Sequence, residues 1–299
     1  MIDVPDIAII GPGKVGTSIA VLAKQNGYRV SAISGRNEKK TREAAKLIGG
    51  DVKVCSPAEA ARTARLVLLT VSDGAIESVC QELAKEKAFS SGQIVAHMSG
   101  ALSSEVLSSA RDLGGAKIGS LHPLQMFPTV DAALDVMPGS HWFCEGEPEA
   151  LLFLKQLVLN IGGMAHTISA ENKSLYHCAS VIACNYLNAL LDVALAVAEK
   201  SGLDRKTAWE ALIPLVDGTI TNIDKLGTVD ALTGPIERGD VDTVKRHLRA
   251  LEDADPEISE VYRVLGRWTV QLARSKGSLK QADEVALTNL LSRNTVVTE

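Results

Sequence analysis

A glycine-rich hexapeptide near the start of the chain has the spacing of a phosphate-binding turn. It consists of Gly11, Pro12, Gly13, Lys14, Val15 and Gly16, and it follows an apolar run at residues 6–10. Between a strand and a helix, the first glycine permits the tight turn, the second lets the backbone approach a pyrophosphate, and the third allows close packing. The first amides of the helix would then face the anion. We therefore predict a dinucleotide site rather than a glycine-rich turn without a ligand.

The residues after the second predicted strand indicate which dinucleotide binds. An NAD site usually has an acidic residue about 20 positions after the glycine motif, which accepts a hydrogen bond from the ribose 2′-hydroxyl. This chain has Ser34, Gly35, Arg36 and Asn37 there. A hydroxyl and a guanidinium group are donors that suit a 2′-phosphate. The pattern favours NADP over NAD, and a solvated basic helix start is the alternative interpretation.

Two further loops directly follow predicted strands, at the edge where an open α/β sheet binds its ligand. The first loop contains Thr70, Val71, Ser72 and Asp73, and the second contains Ser99 and Gly100. Small hydroxyl residues there could approach the nicotinamide ribose, so we expect both loops to contact the cofactor. The alternative is that Asp73 or Ser103 simply caps the following helix.

His122 precedes Pro123 at the end of the sixth predicted strand. The residue before a proline is restricted to extended backbone, which places this imidazole at a strand-to-loop exit. Because histidine exchanges a proton near neutral pH, it could polarise a carbonyl or transfer a proton. A loop histidine bonded to the backbone is an equally good interpretation, and His122 is our first catalytic candidate.

Polar residues also mark one long predicted helix over residues 170–200. Lys173 and His177 share a face of this helix, and Asn185 lies on an adjoining face. Polar groups on an otherwise apolar helix must be paired or must line a cavity. Lys173 could bind a substrate carboxylate or donate a proton, while His177 and Asn185 could orient the substrate. The alternative is pairing at a helix end or an interface, and it is strong for Lys173 near the helix start.

The elements that must position these residues divide the chain into two halves. Up to residue 168, apolar runs alternate with helical segments, which predicts a doubly wound parallel sheet covered on both faces. The predicted strands are 6–10, 28–34, 51–55, 65–71, 93–98, 116–121, 140–146 and 164–169. The remainder is predicted to be helical, with a frayed tail after Arg293. We therefore predict an α/β plus α fold, with a Rossmann-like NADP-binding domain over 1–168 and a helical domain over 169–299.

Composition excludes several classes of protein. The 299 residues carry 31 Lys and Arg against 36 Asp and Glu, a net charge of −5, whereas nucleic-acid binders normally have a basic surface. The five cysteines form no CxxC pair, which is typical of reduced thiols rather than of a zinc site or a disulfide framework. The acidic start does not resemble a secretory signal. We expect a cytoplasmic protein with no metal and no nucleic-acid partner.

The same long helix raises the question of a membrane. Residues 174–199 contain no Lys or Arg and are long enough to span a bilayer. Asn185, Asn188 and Asp192 would be costly in lipid, so we predict no membrane span. Apolar residues cover most of the helix circumference. The helical half of a single chain could not easily bury this much apolar surface. This pattern predicts a two-fold homodimer, and wrapping within a monomer is the alternative.

Longer stretches resemble a bacterial family that joins a Rossmann-like domain to a helical domain of unknown function. They are GPGKVG, SGR, SLHPLQMFP, YHCASVIACNYLNALL and ALTGPIERGD, within a resemblance from about Ile7 to about Ala273. The family is similar to the 6-phosphogluconate-dehydrogenase-like superfamily, which includes deazaflavin-dependent NADP reductases, pyrroline-5-carboxylate reductases and ketopantoate reductases. The resemblance implies an all-helical second domain like the C-terminal domain of 6-phosphogluconate dehydrogenase. It also implies pairing through that domain.

The resemblance implies residue roles as well. Hydroxyacid dehydrogenases of this superfamily carry a lysine and then an asparagine on the long helix; Lys173 matches the lysine, but His177 stands at the asparagine position. Their Ser-Gly-Gly turn is Ser99-Gly100-Ala101 here. His122 matches a histidine that prephenate and arogenate dehydrogenases place beside the substrate hydroxyl. The departures put the hydroxyacid dehydrogenase chemistry in doubt.

Together these features predict an NADP-dependent oxidoreductase with a small-molecule substrate. A hydride would pass between nicotinamide and a carbonyl or imine carbon of a small, carboxylate-bearing compound, such as a ketopantoate-like 2-keto acid. His122 and Lys173 are the predicted groups for proton transfer or carbonyl polarisation. A prephenate- or arogenate-type dehydrogenase and a non-catalytic NADP-binding regulatory protein are the alternatives.

Overall fold

A computed structural model describes residues 6–292 of the chain. The chain forms two compact units, Met1–Asn185 and Tyr186–Glu299. The first unit contains the sheet and the beginning of the long apolar helix, and the second unit is helical. The prediction of a frayed tail after Arg293 lies outside the described residues.

Eight strands form one sheet in the first unit. They are β1 (Ile7–Ile10), β2 (Val30–Ser34), β3 (Lys53–Val54), β4 (Leu66–Leu69), β5 (Ile94–His97), β6 (Lys117–Pro123), β7 (His141–Gly146) and β8 (Met164–Thr167). Their order across the sheet is β3-β2-β1-β4-β5-β6-β7-β8. Each coincides with a predicted strand, and β6 continues two residues further, to Pro123. The predicted α/β plus α class is therefore confirmed.

Strand β7 departs from the predicted parallel arrangement. It runs antiparallel to β6, with Leu121 opposite Cys144, whereas the other neighbouring strands are parallel. The connection between β6 and β7 therefore leaves and re-enters the sheet at the same end, so that the imidazole of His122 lies opposite Phe143. The apolar run at 140–146 indicated that this strand is buried, but burial does not specify strand direction.

Helices cover both faces of this sheet. They are α1 (Lys14–Gln25), α2 (Glu38–Ile48), α3 (Pro57–Arg62), α4 (Asp73–Lys85), α5 (Ser108–Gly114), α6 (Val130–Val136) and α7 (Pro148–Asn160), with a 3₁₀ turn at Ser104–Leu107. The predicted helices at 14–26, 37–48, 74–87 and 148–160 are confirmed. The short helices α3, α5 and α6 were not predicted, because each has fewer than eight residues and shows little periodicity.

The strand residues explain why the apolar runs are continuous. Leu66 and Leu68 of β4 pack in one apolar layer with α1 and α7, while Val67 and Leu69 pack in the opposite layer with α4 and α5. All four side chains are completely buried. Each such burial stabilises the fold by about 1.5–3 kcal/mol. Because both faces of the sheet are buried, polar alternation is absent and the strand ends are held rigidly.

The long helix predicted over residues 170–200 is interrupted at one residue. A 3₁₀ turn at Ala170–Asn172 leads into α8 (Lys173–Ala183), and α9 (Asn185–Lys200) follows. Between them, Cys184 has φ −115° and ψ −65°, outside the range of a regular α-helix. The Cys184 Sγ lies 2.9 Å from the Met126 Sδ, a contact from the β6–β7 connection that the helical periodicity could not reveal.

The second unit continues with four more helices. They are α10 (Arg205–Asp230), α11 (Val241–Ala254), α12 (Pro256–Lys276) and α13 (Gln281–Ser292). We expected separate helices at 204–216 and 218–226, but Pro214 lies within α10 and does not end it. The irregularity is instead at Gly227, whose φ of +78° suits a residue without a side chain. Helix α13 was not predicted; it supplies Leu287 and Leu291 to the core of this unit.

Candidate functional site

The glycine-rich turn connects β1 to α1 and is held from the neighbouring strand. Gly11 has a φ of +96°, which favours glycine, and its carbonyl accepts a 2.6 Å hydrogen bond from the Thr70 hydroxyl. A Cβ on Gly16 would lie only 2.2 Å from the Thr70 Oγ1. Gly13 is the N-cap of α1 and contributes no side-chain cap. The first amides of α1 are thus open to an external anion.

The end of β2 lies beside this turn. The Ser34 side chain is buried, whereas Arg36 is exposed. A Cβ on Gly35 would lie 2.6 Å from the Thr41 Oγ1 and 3.0 Å from the Pro12 Cδ, so the two turns are in close contact. Asn37 begins α2 as its N-cap and accepts a hydrogen bond from the Lys40 amide. Arg36 is therefore left as the accessible cation at this position of the turn.

The loops after β4 and β5 are joined by a hydrogen bond. The Ser99 hydroxyl donates to the Asp73 carboxylate at 2.6 Å and accepts from the amides of Ala101 and Leu102. The capping alternative holds only for Ser103, which is the N-cap residue of the 3₁₀ turn at Ser104–Leu107, whereas Asp73 is the first residue of α4 itself. Ser72 is the N-cap of α4, and neither Ser72 nor Ser103 forms a side-chain capping bond. Asp73 instead links the two loops that we expected to contact a cofactor.

These loops surround a cavity of about 250 Å³ in the first unit. Six of the predicted site residues line it, namely Val15, Thr70, Val71, Asp73, Ser99 and His122. Met98, Pro123, Gln125 and Phe127 also line it and were not predicted. Residues from the glycine motif, the loops after β4 and β5, and the β6 exit thus meet around one space. The roles assigned to the individual residues remain predictions.

His122 has a fixed partner on each side of its ring. Its Nδ1 lies 2.9 Å from the hydroxyl of Tyr176, and the two rings meet edge to face with their centroids 5.7 Å apart. Its opposite edge faces Gly100, where a Cβ would lie 2.8 Å from Cε1 and 2.9 Å from Nε2. Only glycine therefore fits at position 100 without displacing the imidazole. The alternative interpretation, that His122 bonds to backbone, is not what this geometry shows.

The environment keeps both members of this pair uncharged. Burial lowers the pKa of His122 to about 4, and the positive charge of Lys173 and the neighbouring His177 add to the effect. Burial raises the pKa of Tyr176 to about 12. At neutral pH the imidazole is therefore neutral and the phenol is protonated. Asp73 opposes the shift of His122 but is the weakest of the four influences.

Lys173 lies beneath the loop after β5. It is 1% exposed, and its amine donates to the Ser99 carbonyl at 3.0 Å and to the Ser120 hydroxyl at 2.6 Å. Ser120 in turn donates to the buried carboxylate of Glu145 at 3.1 Å. Burial lowers the pKa of Lys173 to about 8, and the negative charge of Glu145 opposes this shift most strongly. Lys173 thus supports Ser99 from behind and does not line the cavity.

The other two predicted catalytic residues have different surroundings. His177 lies beside His122, with ring centroids 6.0 Å apart, and its Nδ1 also faces Gly100. Asn185 is exposed and is the last residue of the first unit. The structure therefore brings His122 and His177 together at Gly100. Lys173 lies on the other side of the Ser99 loop, and Asn185 lies at neither of these two places.

Sequence reasoning missed Tyr176 and Glu145. Tyr176 lies three residues after Lys173 on the same helix, so the polar face of α8 was the signal that could have found it. Glu145 is an acid within the apolar run 140–146, and a buried carboxylate needs partners. Its oxygens accept from the amide and hydroxyl of Ser104, both at 2.7 Å, as well as from Ser120.

Two known domain families match different parts of the chain. A Rossmann-like domain family matches residues 4–123, and the domain of unknown function DUF2520 matches residues 140–269. Each match covers less than half of the chain, and together they show what its two parts are similar to. This confirms the resemblance that the glycine motif and the His-Pro stretch indicated. None of the curated proteins matches the sequence.

Solved structures share the fold over nearly the whole chain. Protein TM1727 from Thermotoga maritima is 26% identical, with a TM-score of 0.72 over 91% of this chain and 99% of that one. An imine reductase from Myxococcus stipitatus in complex with NADP⁺ is 16% identical, with a TM-score of 0.64 over 96% and 100% of the two chains. A pyrroline-5-carboxylate reductase from Coxiella burnetii is 17% identical, with a TM-score of 0.55 over 98% and 100%.

Proposed function

We propose that this protein is an NADP-dependent oxidoreductase that transfers a hydride to a carbonyl or imine carbon of a small, carboxylate-bearing substrate. The observation that carries the proposal is the shared cavity, where the glycine motif of a dinucleotide site meets a neutral, half-buried histidine. A binding turn alone would fit many functions. A proton-exchanging group at the same strand ends is what a reductase requires.

The residues of the first unit fit the pyrophosphate and the 2′-phosphate of NADP. The uncapped start of α1 leaves amide donors for the pyrophosphate, and Gly13 leaves room for it, since a Cβ there would meet only the Gly11 carbonyl, at 4.0 Å. The exposed Arg36 guanidinium, next to Ser34, suits the 2′-phosphate. When bound, NADPH supplies the hydride. The imine reductase from Myxococcus stipitatus, which shares this fold, is in complex with NADP⁺, and this supports the assignment.

The chain's own residues would position and protonate the substrate. His122 presents its free edge beside the cavity and would polarise the carbonyl or imine. His177, which faces the same glycine, would orient the substrate. Lys173 would act through Ser99 by holding the loop, rather than by contact, because its amine is enclosed. The role of Asn185 stays a prediction. A non-catalytic NADP-binding protein would bind the nucleotide but would reduce none of the substrates tested.

Nucleotide preference tests the cofactor assignment. Replacing Arg36 with alanine should weaken NADPH binding about 10-fold or more while changing NADH binding little, because a charge-assisted bond contributes about 1.5–3 kcal/mol. Fluorescence titration with each nucleotide measures both dissociation constants. Arg42→Ala is the matched control, since Arg42 is exposed on α2 and pairs with Glu38. Equal losses for both nucleotides, or tighter NADH binding by the unaltered protein, would refute the NADP assignment.

We also propose that the protein is a homodimer through its helical unit. Large apolar side chains are exposed on the helices of this unit, namely Leu190, Trp209, Leu215, Ile220 and Leu226. By length and composition alone, helix Ala170–Lys200 could cross a membrane, and only 6% of its apolar window is buried. The polar Asn188 and Asp192 within it favour a protein partner over lipid. We also propose a cytoplasmic location, because five cysteines without a CxxC pair are typical of reduced thiols.

Light scattering tests the dimer. At micromolar concentration the protein should have twice the 31.7 kDa mass of one chain. Leu215→Glu combined with Ile220→Glu should yield the single-chain mass, because two charges cannot be buried in an apolar interface. Leu152→Glu is the control, since Leu152 is 77% exposed on α7 of the first unit. A single-chain mass for the unaltered protein would exclude the dimer.

A further inference from the structure

We propose that Tyr176 and His122 form a proton relay. In this relay the Tyr176 hydroxyl gives its proton to the Nδ1 of His122, while the Nε2 of His122 gives its proton to the substrate oxygen. This proposal rests on the proposed oxidoreductase function and deepens it. It adds a residue, Tyr176, that no sequence motif indicated. It also selects a ketone over an imine as the substrate class.

Tyr176 and His122 are close enough for a direct hydrogen bond. The Tyr176 hydroxyl lies 2.9 Å from Nδ1, at normal hydrogen-bond distance. The two ring nitrogens lie on different edges of an imidazole, so this bond leaves Nε2 directed to the Gly100 side. The Tyr176 ring is itself fixed by Phe143, with centroids 4.5 Å apart. The phenol and the imidazole are therefore both held in position by packed neighbours.

The positions of the hydrogen atoms follow from the same bond. The Tyr176 hydroxyl and the Nδ1 of His122 share one hydrogen bond, and in the relay the hydroxyl is its donor. Neutral imidazole carries its single hydrogen on the other nitrogen, Nε2, when Nδ1 accepts. The low pKa of His122 and the high pKa of Tyr176 keep this arrangement through the neutral pH range. The tyrosine thus sets the tautomer in which Nε2 carries the hydrogen, on the edge of this cavity-lining ring that faces Gly100.

The reaction uses the protons of both residues. Arrival of the hydride at the carbonyl carbon breaks the π bond and places its electron pair on oxygen, while NADPH is oxidised to NADP⁺. The oxygen takes the proton of Nε2, and Nδ1 takes the proton of Tyr176, which leaves an alcohol and a tyrosinate. His122 returns to its starting tautomer when a solvent proton reaches Nε2 and the Nδ1 proton returns to the tyrosinate. The net supply is one hydride and one solvent proton.

The acidity of the pair favours a ketone. An alkoxide is far more basic than a phenolate, so proton flow from Tyr176 to a nascent alkoxide is downhill. An imine is reduced as its iminium ion, and hydride addition then gives a neutral amine, so no anionic oxygen develops that would draw a proton through the relay. A 2-keto acid or another ketone therefore fits this relay better than a cyclic imine does.

The helical unit contains a matched control. His247 Nδ1 lies 3.0 Å from the hydroxyl of Tyr262, and the rings are edge to face with centroids 5.9 Å apart. This pair has the geometry of His122 and Tyr176 but is exposed at His247 and belongs to the other unit. Tyr176→Phe and Tyr262→Phe thus remove the same bond from two histidines.

Nuclear magnetic resonance of ¹⁵N-histidine-labelled protein tests the relay without a substrate. The chain has six histidines, and the spectrum of His122→Ala assigns the His122 signals. We expect His122 to be neutral with hydrogen on Nε2 from pH 6 to 8. Tyr176→Phe should move the His122 signals toward those of an exchanging imidazole and leave the His247 signals unchanged. Tyr262→Phe should move the His247 signals and leave those of His122 unchanged. Hydrogen on Nδ1, or a protonated His122 at pH 7, would overturn the proposal.

Turnover supplies the second measurement. With pyruvate, ketopantoate and 1-pyrroline as probes, Tyr176→Phe should lower kcat about 10²-fold for the ketone that reacts and leave KM and NADPH affinity nearly unchanged. Tyr262→Phe should keep the full rate. An unchanged kcat in Tyr176→Phe, or faster reduction of 1-pyrroline than of both ketones, would overturn the relay. Failure of NADPH binding together with an Nε2–H tautomer would instead reject the oxidoreductase function.

Discussion

Replacing His122 with alanine is expected to lower kcat by about 10²–10⁴-fold while NADPH affinity stays nearly constant, because the cavity loses its proton donor and keeps its nucleotide turn. The His122 side chain lines the cavity beside Ser99 and Asp73 but forms none of the contacts that shape the glycine turn. Single-turnover oxidation of NADPH with the best ketone probe, alongside a nucleotide titration, separates the two quantities. A large loss in rate without a loss in affinity places His122 in the chemical step.

His247→Ala provides the control for this experiment. It removes an imidazole that also bonds to a tyrosine hydroxyl, but from an exposed position on α11. We expect its kcat to match that of the unaltered protein. If His122→Ala retained the full rate, His122 would have no part in proton transfer, and the hydrogen bond to Tyr176 would be purely structural.

Much of the fold could be predicted because its strands obey a local rule. Residues 66–69 are apolar on both faces since both faces of β4 are buried, and the same holds for β1 and β5. Strand direction follows no local rule, which is why the antiparallel β7 was not foreseen. The interruption at Cys184 was missed for a related reason. It lies in contact with Met126, a residue 58 positions earlier in the chain, and periodicity along a helix carries no record of such contacts.

The site divides in the same way. The glycine turn was found because its spacing is a local requirement of a strand, a tight turn and a helix. Tyr176 was missed because an aromatic residue within an apolar helix is predicted to be a core residue unless its partner, His122, is known. Lys173 was found as a polar residue, but its position on one face of α8 could not show that the Ser99 carbonyl and Ser120 enclose its amine. Local spacing identified which residues are unusual, and the long-range contacts decide what they do.

The buried network of Lys173, Ser120 and Glu145 gives the second large expected effect. Lys173→Met should lower the free energy of unfolding by about 3 kcal/mol, because the buried carboxylate of Glu145 would lose the cation that the Ser120 hydroxyl links to it. Glu145 keeps its bonds from Ser104, so the loss should lie at the lower end of the usual range. Lys85→Met, on the exposed last turn of α4, should change stability by less than about 1 kcal/mol.

A double-mutant cycle separates the pair from the loss of volume. Combining Lys173→Met with Glu145→Gln should destabilise the protein by less than the sum of the two single changes, with a coupling of about 0.5–3 kcal/mol. Urea unfolding of the four proteins measures it. Strict additivity would mean that Lys173 and Glu145 do not interact through Ser120, although each touches that hydroxyl.

The pH dependence of stability provides an independent test of the same network, through the direction in which the free energy of unfolding changes with pH. Burial lowers the pKa of Lys173 from 10.5 to about 8, so between these values the unfolded chain holds a proton that the folded chain has released. Stability must therefore rise with pH across this window, since it rises wherever the unfolded state binds more protons. Lys173→Met should remove that rise and leave the contributions of other groups in place. Urea midpoints at pH 7.5 and 9.5 measure the difference, and an equal rise in both proteins would show that the Lys173 amine titrates in the folded protein as it does in water.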